Sequence, residues 1–302
     1  MTVIHQTDFP NLYHRGKIRD TYNLGEGLLL MVSTDRISAF DVVLPTAIPD
    51  KGLVLSQLSA FWFDKTAHLI PNHMVTLAHE ESRLNEDIDV NSLLDSLTPE
   101  IAGRSMVVRE ARRIDVECVV RGYLAGSAWA EYQVRGNIQG QVMSEGLREG
   151  DRFNLPIFTP TTKAETDHDQ PLTWQELEDT VGPSLARQLE EKSLEIYSFA
   201  SDYACSRGLI LADTKMEFGL LDDQLILIDE LLTPDSSRFW EAEGYQPGRP
   251  QPNFDKQYVR DYLVKTGWDR EPPAPGLPSD VVEKTRSSYL EAFRRLTGQE
   301  LS

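Results

Sequence analysis

The stretch LILADTKMEFGL (residues 209–220) carries an acid, a base and a second acid, Asp213, Lys215 and Glu217, at alternate positions between apolar ends. Successive side chains of a β-strand point to opposite faces, so residues two apart share one. The spacing predicts a strand with those three groups on one face, and Ile210, Ala212, Met216 and Phe218 packed on the other. Taken alone, such a face is either a solvated surface or a row of groups aligned for chemistry.

The residues that follow narrow the choice. Leu221, Asp222 and Asp223 read as a turn and QLILIDEL as a returning strand. With the turn centred near residue 223, Glu217 and Asp229 fall roughly opposite each other. Like charges directly opposed on neighbouring strands are destabilising, and a cation between them removes the conflict. Two carboxylates completed by water and phosphate oxygens suit Mg²⁺. The competing reading is a register displaced by one residue, with both acids in solvent.

Upstream, KIRDTYNL, the turn Gly25-Glu26-Gly27 and LLLMVS form a second hairpin, and SMVVRE (105–110) and VECVVR (116–121) read as strands. KGLVLSQLSAFWFDKTAHLI has Val54, Leu58, Phe61, Trp62 and Leu69 at helical spacing, which marks Phe61 and Trp62 as core. Residues 80–100 are acidic and polar, a surface excursion. AGSAWAEYQVRG suggests a short helix, and residues 146–170, rich in Thr, Pro, Asp and Gly, an ordered loop. Thr173 with Glu176 is a capping-box signal for a helix from about 174. Further helices are expected over 183–206, 255–265 and 279–297. Strands and helices cluster separately instead of alternating, which predicts an α+β fold. The expected division is an N-terminal lobe, residues 1–112, and a C-terminal lobe, residues 113–302.

Composition excludes several classes. The chain has 302 residues, 40% of them apolar, enough for a large core. No apolar run approaches the roughly 18 residues that cross a membrane, and the start shows no secretory pattern. Thirty Lys and Arg against 48 Asp and Glu leave a formal charge of -18. A surface so acidic repels nucleic-acid backbones. A small anionic substrate needs basic residues gathered locally. The six histidines lack zinc-ligand spacing. Cys118 and Cys205, both in apolar surroundings, read as buried thiols in a reducing compartment, so a cytoplasmic location is expected.

Three further groupings gather charge. RGKIRD places Gly16 and Lys17 before the first hairpin strand, where backbone amides and a lysine can cover phosphates; alone it is also an ordinary surface turn. STDRISAFD crowds Asp35, Arg36, Ser38 and Asp41 at a strand end, either a working loop or a capped one. Arg121, Arg238, Lys256 and Arg260 stand after strands or at a helix start. Lys256 and Arg260 are four apart and share a helix face, with Asp255 as the expected N-cap. Each of these is compatible with a simple ion pair.

GLILADTKMEFG, IDVECVVRGYLAGS, GKIRDTY, STDRISAFD, FTPTTKAE and ELLTPDSSRFW together resemble the SAICAR synthetase family of purine biosynthesis, in its longer form of about 300 residues. The resemblance runs from about residue 12 to 265. DTKMEFG fits the family pattern fully, and Arg121, Ala125, Gly126 and Ser127 meet a second one. Asp115 stands where the family usually has Pro. The resemblance implies a two-lobed fold with antiparallel sheets, related to the ATP-binding lobes of kinases and ATP-grasp enzymes. It implies ligation of a carboxyaminoimidazole ribonucleotide (CAIR) to L-aspartate with ATP split to ADP and phosphate, by a monomer. Carried over by position, Gly16 and Lys17 cover ATP phosphates and Glu217 and Asp229 hold Mg²⁺. Arg121, Ser127, Arg238, Lys256 and Arg260 hold the ribonucleotide, and Asp213 and Lys215 stand at the reaction centre. Beside these, Asp35, Arg36, Ser38 and Asp41 of the strand-end loop are expected to contact substrate, and Asp213 to accept the amine proton. The rivals are a small-molecule kinase and an inactive nucleotide-binding protein on the same scaffold.

Overall fold

The computed structural model describes residues 3–80, 91–163, 169–249, 251–254 and 256–301. Residues 81–90 of the acidic excursion and Asp255 lie outside them. Two antiparallel sheets organise the chain. The first runs in the order Leu12–Arg15, Arg19–Gly25, Leu28–Ser33, Ser105–Arg109, Met74–Leu77. The second runs Arg152–Phe158, Arg112–Tyr123, Leu209–Leu221, Gln224–Ile228, with Thr161–Thr162 and Ser237–Glu241 as additional partners. A parallel bridge between Asn72 and Leu227 joins them: His73 N donates to Leu227 O (2.9 Å) and Leu227 N to Pro71 O (3.0 Å).

The predicted helices form where the apolar periodicity recurs. Lys51–Thr66 buries Val54, Leu58 and Trp62 completely. Trp174–Val181 opens on the Thr173–Glu176 capping box, and Pro183–Ser206 and Ser279–Thr297 follow. One continuous apolar cluster takes side chains from both sheets and these helices, including Met31, Trp62, Val116, Met216, Phe218, Phe239 and Tyr289. A core shared this widely ties the two sheets to each other, so the groove between them has fixed walls.

Three expectations need correction. Residues 146–170 are not all loop: Arg152–Phe158 pairs with Arg112–Tyr123 as an edge strand, because Pro156 is compatible with an edge. Cys205 is exposed near the end of Pro183–Ser206, whereas Cys118 is buried at the centre of its strand. The alternation along Leu209–Leu221 also breaks. A bulge between Leu211 and Asp213 switches parity, so Leu209 and Leu211 join Met216 and Phe218 in the main core. Ile210 and Ala212 pack instead with Tyr123 and Trp240 in a small separate cluster.

Candidate active site

A cleft of about 2360 Å³ opens between the two sheets. Its walls carry fourteen Lys and Arg but only twelve Asp and Glu, so a cationic groove lies within a strongly acidic chain. Low-dielectric walls focus such a local excess onto an anionic ligand. Gly16, Lys17, Ser38, Asp41, Arg121, Ser127, Asp213, Lys215, Glu217, Asp229, Arg238, Lys256 and Arg260 all line it. Asp35 and Arg36, expected to contact substrate, do not. The Asp35 carboxylate is fully buried and accepts from Arg104 Nη1 (2.8 Å), Gly52 N (2.9 Å) and Ile4 N (2.9 Å). Arg36 donates to Gly16 O (3.0 Å), Lys17 O (3.1 Å) and Asp20 Oδ1 (2.9 Å), bracing the Gly-Lys turn from behind. Lys17 pairs with Asp41, 2.5 Å away, both in the cleft lining.

The hairpin register differs from the expected one. Asp222 and Asp223 both adopt positive φ in a two-residue turn, which pairs Leu221 with Gln224 and therefore Glu217 with Ile228. Asp229 follows the strand end, itself at positive φ (63°), and turns toward the cleft. The displaced register does not put the acids in solvent: Glu217 is buried, and the side chain of Asp229 is 28% exposed.

The acid that does stand directly opposite Glu217 is Glu117, on the other neighbouring strand. Two lysines resolve this conflict. Lys163 pairs with both Glu217 and Glu117, and Lys215 Nζ lies 2.6 Å from Glu117 Oε1. Burial pushes the Glu117 carboxyl up, but Lys215 and Lys163 outweigh it and hold it below the ordinary range. Glu217 goes the other way, raised by burial and by Asp229. For Asp229 burial is outweighed by Arg19, Nη1 of which sits 2.7 Å from Oδ1, and the carboxyl is lowered. Glu117 and Lys163 had no role in the sequence reading, although both lie in the quoted stretches VECVVR and FTPTTKAE. Only the pairing of Arg112–Tyr123 with Leu209–Leu221 brings them to Glu217. Lys163 N also donates to Asp115 O (3.2 Å), so the strand carrying Asp115 in place of the family's Pro still presents that carbonyl.

At the other end of the same strand, Asp213 lies opposite Arg121 and Arg238. Its Oδ2 accepts from Arg238 Nη1 at 2.5 Å and Arg121 Nη1 at 3.3 Å. Arg121 is further held by Thr159 Oγ1 (3.0 Å) and Ser127 Oγ (3.2 Å). Gly126 (φ 57°) lets the chain turn against this pair, since a Cβ there would fall on the Arg238 guanidinium. Lys256 is the residue before the helix Gln257–Lys265, and Arg260 lies on that helix at the cleft.

An enzyme acting on a phosphate-bearing substrate is the class that this fold and cationic cleft define. Residues 12–275 match the SAICAR synthetase family. The chain is 48% identical over 300 residues to the phosphoribosylaminoimidazole-succinocarboxamide synthase of Geotalea uraniireducens, covering 98% of each. It is 50% identical over 286 residues to that of Thermodesulfovibrio yellowstonii, covering 95% of each. Among solved structures, the SAICAR synthase of Saccharomyces cerevisiae complexed with SAICAR superposes with a TM-score of 0.85 at 38% identity, covering 99% of each chain. The chain belongs to the SAICAR synthetase family, ATP-dependent ligases of purine biosynthesis.

Proposed function

We propose that this chain joins CAIR to L-aspartate, giving SAICAR, ADP and phosphate through an acyl phosphate, and that the cleft residues divide the work by position. The observation that carries the assignment is that one strand, Leu209–Leu221, presents Asp213 with its two arginines at one end and Lys215 and Glu217 further along, all in the same cleft. A carboxylate oxygen is too poor a leaving group for direct amide formation. The CAIR carboxylate therefore forms an O–P bond to the γ-phosphorus of ATP as the bond to ADP breaks. The aspartate amine then attacks the acyl carbon, the C–O bond to inorganic phosphate breaks, and the departing phosphate takes up the proton that the nitrogen gives up. Such chemistry is governed by placement and charge.

Gly16 and Lys17 cover the ATP phosphates, with Arg36 holding the turn in shape. Lys215 and Lys163 place positive charge beside the transferring phosphoryl group. Arg121, Ser127, Arg238, Lys256 and Arg260 hold the ribonucleotide, and Ser38 and Asp41 complete the rim. Asp213, read from sequence as a proton acceptor, is engaged by two guanidinium groups, and its role here is to orient them. Among the described residues no group of three or more acids, His or Cys forms a metal cage. A pair of carboxylates such as Glu217 and Asp229 nonetheless fits Mg²⁺, which keeps waters and leans on substrate phosphates. The raised Glu217 carboxyl marks where an added positive charge relieves repulsion. When bound there, the ion supplies neutralisation of the phosphate charge.

Among the described residues no helix is long and apolar enough to cross a membrane. We read the chain as a cytoplasmic monomer. The deciding experiment is ADP release in the presence of CAIR, with and without L-aspartate. Stoichiometric SAICAR formation only with aspartate is expected; sustained phosphorylation without it makes the chain a kinase.

A further inference from the structure

At the cleft wall lies a cluster of charged groups of which the proposed chemistry uses only Lys256. Asp235 Oδ2 accepts from Lys51 Nζ at 2.8 Å and lies 3.4 Å from Lys256 Nζ, while Tyr289 donates to Oδ1 at 2.5 Å. Lys51, Asp235 and Tyr289 are almost wholly buried, and of the four only Asp235 and Lys256 reach the cleft. Lys51 is the first residue of the helix Lys51–Thr66, where the helix dipole opposes a cation. A buried ion pair is also seldom more stable than apolar residues in its place. Stability is thus a weak reason for an ammonium here.

Geometry gives a stronger one. One carboxylate faces two ammonium groups and lies closer to Lys51. The neighbouring acid, Glu230, is engaged by Arg19 Nη2 (2.7 Å) and Thr233 Oγ1 (2.7 Å). Asp235 is thus held first by Lys51, and Lys256, its more distant partner, is the ammonium that lines the cleft and can meet a ligand. Tyr289 comes from the C-terminal helix Ser279–Thr297, beyond the residues that match the family. Three residues earlier, Arg286 grips Asp50 (2.6 Å), immediately before Lys51, so the helix fastens both Asp235 and the segment carrying its partner.

We infer that Lys51 and Tyr289 are positioning residues that occupy Asp235 and so keep the Lys256 ammonium available to an anionic group of the substrate. The inference rests on the reading of Lys256 as a ribonucleotide contact. Without Lys51, Asp235 turns its charge on Lys256 and neutralises it; without the tyrosine hydroxyl, the carboxylate swings toward Lys256.

The test compares Lys51→Met, Tyr289→Phe and Lys256→Met in the full chain, measuring KM for CAIR, KM for ATP, kcat and thermal stability. Lys51→Met and Tyr289→Phe are expected to raise KM for CAIR by about tenfold, the scale of one weakened charge-assisted contact, with KM for ATP and kcat unchanged. A merely structural role moves both KM values together and overturns the inference. If Lys256→Met raises KM for CAIR while the other two leave it alone, the inference fails and the assignment of Lys256 stands. If Lys256→Met leaves it alone, the assignment fails and the inference with it. Should Lys51→Met fail to fold, Tyr289→Phe, which deletes one hydroxyl, decides.

Discussion

Asp213→Asn separates two roles for one carboxylate, because it preserves shape while removing charge. In the folded protein the carboxylate neutralises Arg121 and Arg238 through one oxygen, at 3.3 and 2.5 Å. Stripping a buried ion pair of one partner costs roughly 3–5 kcal/mol. The loss should be smaller here. The asparagine oxygen still accepts one bond, Arg121 keeps Thr159 and Ser127, and the Arg238 side chain is 23% exposed. About 2–3 kcal/mol of apo stability should therefore disappear, measured by urea unfolding. An anionic ligand can replace the missing charge, so CAIR at equal concentration should stabilise the variant more than the unmodified chain. If Asp213 only orients the arginines, kcat should fall less than about tenfold, whereas loss of a general base costs about 10²–10⁴. A variant as stable as its parent and more than about a hundredfold slower would refute this reasoning and restore Asp213 as the proton acceptor.

Arg238→Ala should weaken CAIR binding by roughly 1.5–3 kcal/mol with ATP affinity unaffected, measured by calorimetry on each ligand separately; weaker ATP binding alone would displace the clamp. Glu217→Gln should weaken the Mg²⁺ dependence of turnover and shrink the stabilisation conferred by Mg-ATP. Because the folded Glu217 carboxyl is raised, its ionised form destabilises at neutral pH. The variant should therefore be the more stable apo protein at pH 7, with the gap closing as acid protonates the parent. His73, pushed down to about 4 by burial, binds its proton more readily when unfolded; stability should fall by about 3 kcal/mol as pH drops from near 6.5 to near 4, and His73→Gln should flatten that slope in pH-dependent melts. In the native protein one thiol should label quickly, Cys205, while Cys118, raised to about 12 by burial, reacts only on unfolding, as mass spectrometry of alkylated peptides would show.

Local rules were legible without coordinates. The period of the apolar residues in 51–66, the Thr173–Glu176 box and the extent of 183–206 each depend on neighbours within a few positions, and the structure follows them. So did the gathering of Asp213, Lys215 and Glu217 on one strand, and the argument that a like-charge pair needs a cation. What that argument had wrong was the partner. Pairing between strands about 100 residues apart is decided by packing of the whole sheet, not by either segment. It set Glu117 opposite Glu217 and brought Lys163 between them. The turn at Asp222 and Asp223 moved Asp229 one position past the expected pairing, since two residues at positive φ close the hairpin more tightly than one centred on 223. Asp35 and Arg36 share the character of their neighbours Ser38 and Asp41 in sequence. Only burial distinguishes them, because Arg104 and the backbones of Gly52, Gly16 and Lys17 arrive from elsewhere in the chain. The sequence by itself determined the chemical groups and the elements that carry them; the tertiary fold decided which charges meet, because Coulombic partners are chosen by distance in space and not along the chain.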